Sequence, residues 1–241
     1  EKRFGSNPFN PCMMADSGQP MKQCSGLVVE TITNGPFVEN CYLVADPITR
    51  KAILIDPGDE EDRIADKVKQ ANVQVVEIVN THGHIDHAGA VASLKRLLDV
   101  PFAIHPGDRG WLEHLGSSAV AFGLSPRPTP EVDRDLEHGQ TLMVGEVKGI
   151  VLHTPGHTEG GCCFYFPEPR AVFVGDTLFA GSIGRTDLPG GSSSTLLRSI
   201  QEHLLTLDDD VVVYSGHGPT TDIGTERRSN PFLRPGGPIF F

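Results

Sequence analysis

The run Val73-Gln74-Val75-Val76-Glu77-Ile78-Val79 has the apolar, β-branched character of a buried strand. Just beyond it, four side chains able to bind metal stand within six positions: His82, His84, Asp86 and His87. Residues 88–99 are rich in Ala, Leu and Lys and predict a helix, so the histidines fall on the turn between strand and helix. Positions two apart lie about 200° from each other around a helix axis. One helical face therefore cannot collect His82 with His84, whereas a turn can converge them. Turns at the carboxyl ends of strands are where open α/β sheets place ligands, and imidazole with carboxylate suits zinc, iron or manganese. Surface histidines in a polar loop are the plain alternative, but loops that pack metal-capable residues this densely usually carry function.

The stretch THGHIDHAG, Thr81 to Gly89, resembles the signature of the metallo-β-lactamase fold superfamily. Three later stretches match that family's other ligand positions in order: His157 in HTPGHTEGG, Asp176 in VFVGDTLFAGSIGR and His217 in VVYSGHGPTT. The resemblance covers Leu27 to Phe232 and implies an α/β fold, a four-layer αβ/βα sandwich with metals at one edge between two sheets. It further implies that His82, His84 and His157 hold one divalent ion, that Asp86, His87 and His217 hold a second, and that Asp176 bridges both. Zinc is the first expectation for the pair, with iron and manganese suited to the same ligands.

A chain of 241 residues with 38% hydrophobic content builds a sizeable core. The reading is one hydrolase domain over 25–241, preceded at 1–24 by a poorly ordered arm rich in Gly, Pro, Asn and Ser. A net charge of −11 and a pI near 5.3 argue against binding phosphate backbones, so nucleic acid is excluded as a partner. No apolar window spans a bilayer and no basic-then-apolar leader opens the chain, which excludes a membrane partner. The cysteines at 12, 24, 41, 162 and 163 have no C-x-x-C spacing, so neither a disulfide framework nor a thiolate site is expected. Reduced thiols of this kind fit a cytoplasmic location.

Along the chain, Leu27–Ile32, Cys41–Val44 and Ala52–Ile55 predict an antiparallel meander with Asn-Gly-Pro and Asp-Pro turns. Asp56, at the end of the third strand, is either a carboxylate that orients a histidine or a turn-forming cap. Glu60–Ala71 predicts an amphipathic helix. Pro101–Ile104 predicts a strand, Gly107–Gly123 a helix and break with Trp111 and Leu115 inward, and Leu124–Gly139 a surface connection. Thr141–Val144 and Val147–Leu152 lead to His157, while Cys162–Phe166 and Ala171–Val174 form a hairpin that delivers Asp176. Ser192–Leu207 predicts a helix capped by Ser193 or Ser194, and Val211–Tyr214 the last clear strand. His105, His114, His138 and His203 are expected to be structural, as is His153, a packed or supporting group.

No G-x-S-x-G elbow and no Cys–His pair is present. The expected reaction is therefore hydrolysis by hydroxide on a metal pair that also clamps a carbonyl oxygen, with Asp86 orienting the nucleophile. A thiol of pKa about 8.5 leaves without a strong general acid, which makes a small-molecule thioester a sensible substrate. GDTLFAGSIGRTDLPGGS is most similar to glyoxalase II-like (hydroxyacylglutathione hydrolase-like) enzymes of the short form. By that resemblance the substrate is a thioester such as S-lactoylglutathione, and Arg185 meets the glycine carboxylate of glutathione. Asp187 departs from the aromatic residue that full-length members carry, and about two dozen residues follow His217, too few for their helical C-terminal domain. Two other classes are carried: an iron-dependent persulfide dioxygenase, which shares GRTD but uses one iron held by two His and one Asp, and a metal-binding protein without catalysis.

Overall fold

Strand β2 (Glu39–Ala45) is buried at every position, and successive side chains of a strand point to opposite faces, so it must lie between two other layers. Its alternate residues confirm this: Cys41, Leu43 and Ala45 join one apolar core, while Tyr42 and Val44 join another. The computed structural model describes residues 26–234. Within them, a first sheet has the spatial order β1 (Val28–Asn34), β2, β3 (Lys51–Ile55), β4 (Gln74–Val79), β5 (Phe102–Ile104) and β6 (Arg134–Asp135). The first three strands form the antiparallel meander that their short turns require. β4, β5 and β6 then join in parallel. Parallel pairing needs crossovers, and helices supply them: α1 (Glu61–Ala71), α2 (Ile85–Ala88) with α3 (Val91–Leu98), and α4 (Arg109–Glu113) with α5 (Leu115–Ala121).

The second sheet is built from β7 (Thr141–Val144), β8 (Val147–His153), β9 (Cys162–Phe166) and β10 (Ala171–Gly175), a detached hairpin β11 (Leu178–Phe179) and β12 (Ser182–Ile183) following on. Helix α6 (Ser193–Ser199) crosses over to β13 (Val212–Ser215), which pairs parallel with β10; β14 (Thr221–Asp222) and helix α7 (Ile223–Ser229) close the order β14-β13-β10-β9-β8-β7. In β9 and β10, Phe164, Phe166 and Phe173 face the first sheet, while Cys163, Val172 and Val174 face Leu196, Ile200 and Leu204 of the helix layer. Helices, sheet, sheet, helices is the four-layer sandwich expected, with an apolar core in each of the three gaps.

Several local expectations are corrected. The helix expected over 88–99 begins earlier and is broken: α2 takes in Asp86 and His87, and α3 starts after Gly89. The surface connection 124–139 contains β6 and the fully buried Leu136. Ser192, not Ser193 or Ser194, caps α6, its Oγ accepting from Thr195 N at 3.3 Å. After Ser199 that helix widens into a π-helical turn, Ile200–Leu204. Trp111 is only half-buried; its neighbour Leu112 takes the inward position with Leu115. No helix among the described residues is long and apolar enough to cross a membrane. The arm 1–24, with Cys12 and Cys24, lies outside the described residues; Cys41, Cys162 and Cys163 are buried free thiols.

Candidate metal centre

Strand ends bring the matched residues to one edge of the sandwich. β4 ends in the loop carrying His82 and His84, and α2 holds Asp86 and His87. The β8–β9 loop supplies His157, β10 leads into Asp176, and β13 leads into His217. Asn80 closes the first loop, its Nδ2 donating to His87 O at 2.8 Å. The His217 loop is tied across to β2: Asn40 N donates to Gly216 O at 2.8 Å, Asn40 Nδ2 to Gly218 O at 3.0 Å, and the Tyr42 hydroxyl to Ser215 O at 2.6 Å. Gly216 is required there, because a Cβ would collide with Asp176 Oδ1 and the His87 ring. Gly175, at φ 48°, likewise leaves room for Thr81.

Two groups result. His82, His84 and His157 present ligand atoms within 4.8 Å of one another, and so do Asp86, His87 and His217. Asp176 stands between the groups: Oδ1 is 3.4 Å from His87 Nε2, while Oδ2 is 3.6 Å from His157 Nε2 and 3.7 Å from His217 Nε2. A third convergence, of Asp56 with His82 and His87, has another purpose. Asp56 accepts from Thr81 N and Thr81 Oγ1 at 2.6 Å each and meets His87 Nδ1 at 3.1 Å. Of its two sequence readings, the carboxylate that orients a histidine is the one realised, and it does so at φ 51°.

These partners decide which nitrogens face inward. The Thr81 hydroxyl spends its proton on Asp56, so at 3.1 Å it accepts from His82 Nδ1 and leaves Nε2 as the lone-pair atom. Asp56 does the same for His87, and the main-chain oxygen of Arg185 for His157 at 2.7 Å. His84 Nδ1 and His157 Nε2 approach to 2.9 Å. His82 Nε2, His87 Nε2 and Asp176 Oδ1 are buried without a hydrogen-bond partner in the protein, a state that buried polar groups avoid unless a ligand serves them. Converging imidazole lone pairs and carboxylates fit divalent metal.

Charge follows the same division. Burial holds His82 well below the usual imidazole range, with the neighbouring histidines adding to it, and burial with His157 takes His84 down to about 3. Burial opposes charge on His87 too, yet Asp176 and Asp86 outweigh it and raise its pKa. Against the same burial, His87 holds Asp176 and Asp86 below the carboxylate range, so both stay ionised.

The remaining histidines lie away from these groups. His105 stacks on His153 with centroids 4.1 Å apart, and His153 Nε2 donates to Glu159 O. His138 and His203 pair 5.0 Å apart, and His114 bonds Gly110 O. Arg185 reaches the cavity beside the centre, but its guanidinium is engaged by Asp187: Nε to Oδ1 at 2.7 Å and Nη2 to Oδ2 at 2.8 Å. Three supporting groups escaped the sequence reading. Asp108 is fully buried and clamps the His84 loop to the His157 loop, accepting from Gly83 N, Thr158 Oγ1 and Gly160 N. Glu39 lies buried 3.7 Å from His87 Nδ1, and burial pushes its carboxyl well up despite the opposing pull of His87. Trp111 meets His84 edge to face at 4.4 Å. Only Asp108 carried a local signal, a Pro-Gly-Asp turn at the carboxyl end of a parallel strand.

Two sheets backed by helices, with a histidine and carboxylate cluster at their shared edge, define a metallo-beta-lactamase fold. The chain belongs to the metallo-beta-lactamase superfamily, whose family model matches residues 34–217. It is 38% identical over 212 residues to hydroxyacylglutathione hydrolase GloC of Haemophilus influenzae, a match covering 85% of this chain and 97% of the relative. Among solved structures it is similar to the BLEG-1 B3 metallo-beta-lactamase, with a TM-score of 0.80 and 35% identity over 86% of this chain and 99% of that one. It is also similar to TTHA1623 in a di-iron-bound form, with a TM-score of 0.78 and 43% identity over 85% and 100% of the two chains.

Proposed function

We propose that the chain is a dinuclear metal-dependent hydrolase of small-molecule thioesters. The observation that carries this reading is the placement of Asp176, one carboxylate within 3.7 Å of histidines from both groups. In this reading His82, His84 and His157 hold one ion, Asp86, His87 and His217 the other, and Asp176 both. Such a pair supplies a Lewis acid for the scissile carbonyl and a water acidic enough to ionise near neutral pH. Zinc and iron both suit these ligands, and the di-iron form of TTHA1623 supports iron as the second candidate.

The chain's own groups do the rest. Asp86 presents its carboxylate to the centre, its Oδ2 3.2 Å from His217 Nε2, where it would orient the attacking water. In hydrolysis the water oxygen joins the acyl carbon, the C–S bond breaks, and the thiolate leaves. No Lys, Tyr or Glu lines the cavity beside the centre among the described residues. A thiolate leaving group needs no such acid, whereas an amine would. Cys41, Cys162 and Cys163 do not compete as nucleophiles, because burial raises all three thiols. The name of the Haemophilus relative makes S-lactoylglutathione the first substrate to try. The net charge of −11 supports a partner list without nucleic acid, and the buried free thiols support a cytoplasmic location.

Metal-loaded protein should release thiol from a panel of thioesters, followed with a thiol reagent, and should lose that activity on chelation. Oxygen uptake with glutathione persulfide in place of thioester cleavage would replace this reading with the dioxygenase one. Metal binding with neither activity would leave the non-catalytic class.

A further inference from the structure

Building on the thioesterase reading, we propose that the site selects its substrate by apolar surface and prefers the thioester of an uncharged thiol to that of an anionic carrier. Phe37, Trp111 and Phe122 favour an apolar acyl chain, and the pairing of Arg185 with Asp187 sets the preference for an uncharged thiol. The cavity beside the candidate centre has a volume of about 640 Å³, within the range of small-molecule sites. Phe37 and Phe122 form one wall, their rings edge to face with centroids 5.1 Å apart, and Trp111 packs against His84. Phe179, Ile183 and Leu188 extend the apolar lining. Phe122 is 61% exposed, an aromatic ring left in water beside a buried ionic cluster, which marks a ligand-facing surface.

The hairpin tip that carries Phe37 is strained. Val38 is β-branched yet sits at φ 58°, a region such residues avoid. Its own side chain is 61% exposed, so packing of that side chain does not account for the conformation. The conformation sets Phe37 on the cavity and Glu39 beneath His87. Strain of this kind persists at ligand clamps, where surrounding structure enforces it.

Charge acts in the same direction. Arg185 is the only guanidinium or ammonium group among the described lining residues, and Asp187 engages it in a fork-to-fork pair. An adjoining groove of about 700 Å³ shares Trp111, Ser118 and Pro189 with the cavity and adds Glu159 but no Lys or Arg. Among the described lining residues a glutathione carboxylate has no side-chain cation free to receive it, and Asp187 and Glu159 border the space it would occupy. An uncharged thiol needs no such partner, and an apolar acyl chain buries itself against the aromatic walls.

The test compares kcat/KM of the metal-loaded protein for hexanoyl-N-acetylcysteamine and S-hexanoylglutathione, which share one acyl group. The uncharged ester should be favoured roughly tenfold or more. Phe122→Ser should weaken both esters to a similar degree through the acyl chain they share, and Asp187→Ala should narrow the ratio by releasing Arg185 to the glutathione ester. Trp111 is the single tryptophan of the chain, so its emission gives a readout independent of turnover. The thioether S-hexyl-N-acetylcysteamine should perturb it at lower concentration than S-hexylglutathione does. Cleavage of both esters with equal or reversed preference would overturn the proposal and leave the hydrolase reading standing. Cleavage of neither, with the thioether preference intact, would support apolar recognition and remove the hydrolase reading.

Discussion

Removing the Asp176 carboxylate takes away the group that approaches His87 at 3.4 Å, His157 at 3.6 Å and His217 at 3.7 Å. Asp176→Ala should therefore lower metal content at both positions together and cut thioesterase activity by more than about a hundredfold, since loss even of an outer partner of a metal ligand commonly costs 10–100-fold. His105→Ala serves as the contrast. Its ring stacks on His153 and accepts from Gly107 N, neither of them one of the seven matched residues, so metal content should stay at the wild-type level. Elemental analysis of the two purified variants checks both halves, and metal loss in the His105 variant with retention in the Asp176 variant would overturn the assignment. At this scale the sequence reading reached the residues that are neighbours in the chain or matched a motif. Of the groups that support them, it offered Asp56 only as one of two readings and missed Asp108 and the partner of His157. Asp56 and Asp108 act 25 positions away from Thr81 and Gly83, and the His157 partner is a main-chain oxygen, which has no identity in a sequence.

Turns join the elements, and one aspartate joins two turns. Asp46 lies between β2 and β3, 2% exposed, and accepts from Ile48 N at 2.8 Å, from Thr49 Oγ1 at 2.7 Å and, across the gap between sheets, from Glu146 N at 3.0 Å in the β7–β8 turn. Burial acts to raise its pKa, but these hydrogen bonds to the ionised form prevail and lower it. Asp46→Ala should cost about 1–3 kcal/mol at pH 7, the penalty for buried donors left without an acceptor. A carboxylate with a folded pKa below its unfolded value of about 3.9 stabilises the fold above that value, and the contribution fades as pH falls through the folded pKa. Urea unfolding should therefore show a gap between wild type and variant at pH 7 that narrows below roughly pH 4; a gap independent of pH would show that the charge is not involved. Elements were legible wherever periodicity had room to show itself. The meander, α1 and β4 are long enough to alternate or repeat, whereas β6, β11, β12 and β14 are two residues each and exist only through their partners. Broken helices were harder too, because α2 begins inside the metal-capable stretch itself and its composition reads as turn.

The whole molecule meets itself at the candidate centre. The first sheet and its helices provide His82, His84, Asp86 and His87, while the second provides His157, Asp176 and His217. Main-chain bonds bridge the same seam, Cys162 N to Thr81 O at 2.8 Å and Asn40 N to Gly216 O at 2.8 Å. This division of ligands between halves was readable from the order of the motifs; the bonds across the seam were not, since they join residues that no local pattern connects. In the dinuclear reading, ions held by both halves would bind the folded chain and not the unfolded one, so loading should stabilise the fold by mass action. At free metal a hundredfold above its dissociation constant, each site adds about 2.7 kcal/mol, which for a chain of this size is roughly 5–10 °C in Tm. Chelator-stripped protein should unfold at a correspondingly lower temperature and recover in step with the metal returned, reaching its plateau at two equivalents per chain together with full activity. A plateau of both stability and activity at one equivalent would replace the dinuclear centre with a mononuclear one, and a Tm indifferent to metal would mean that these seven side chains do not bind it.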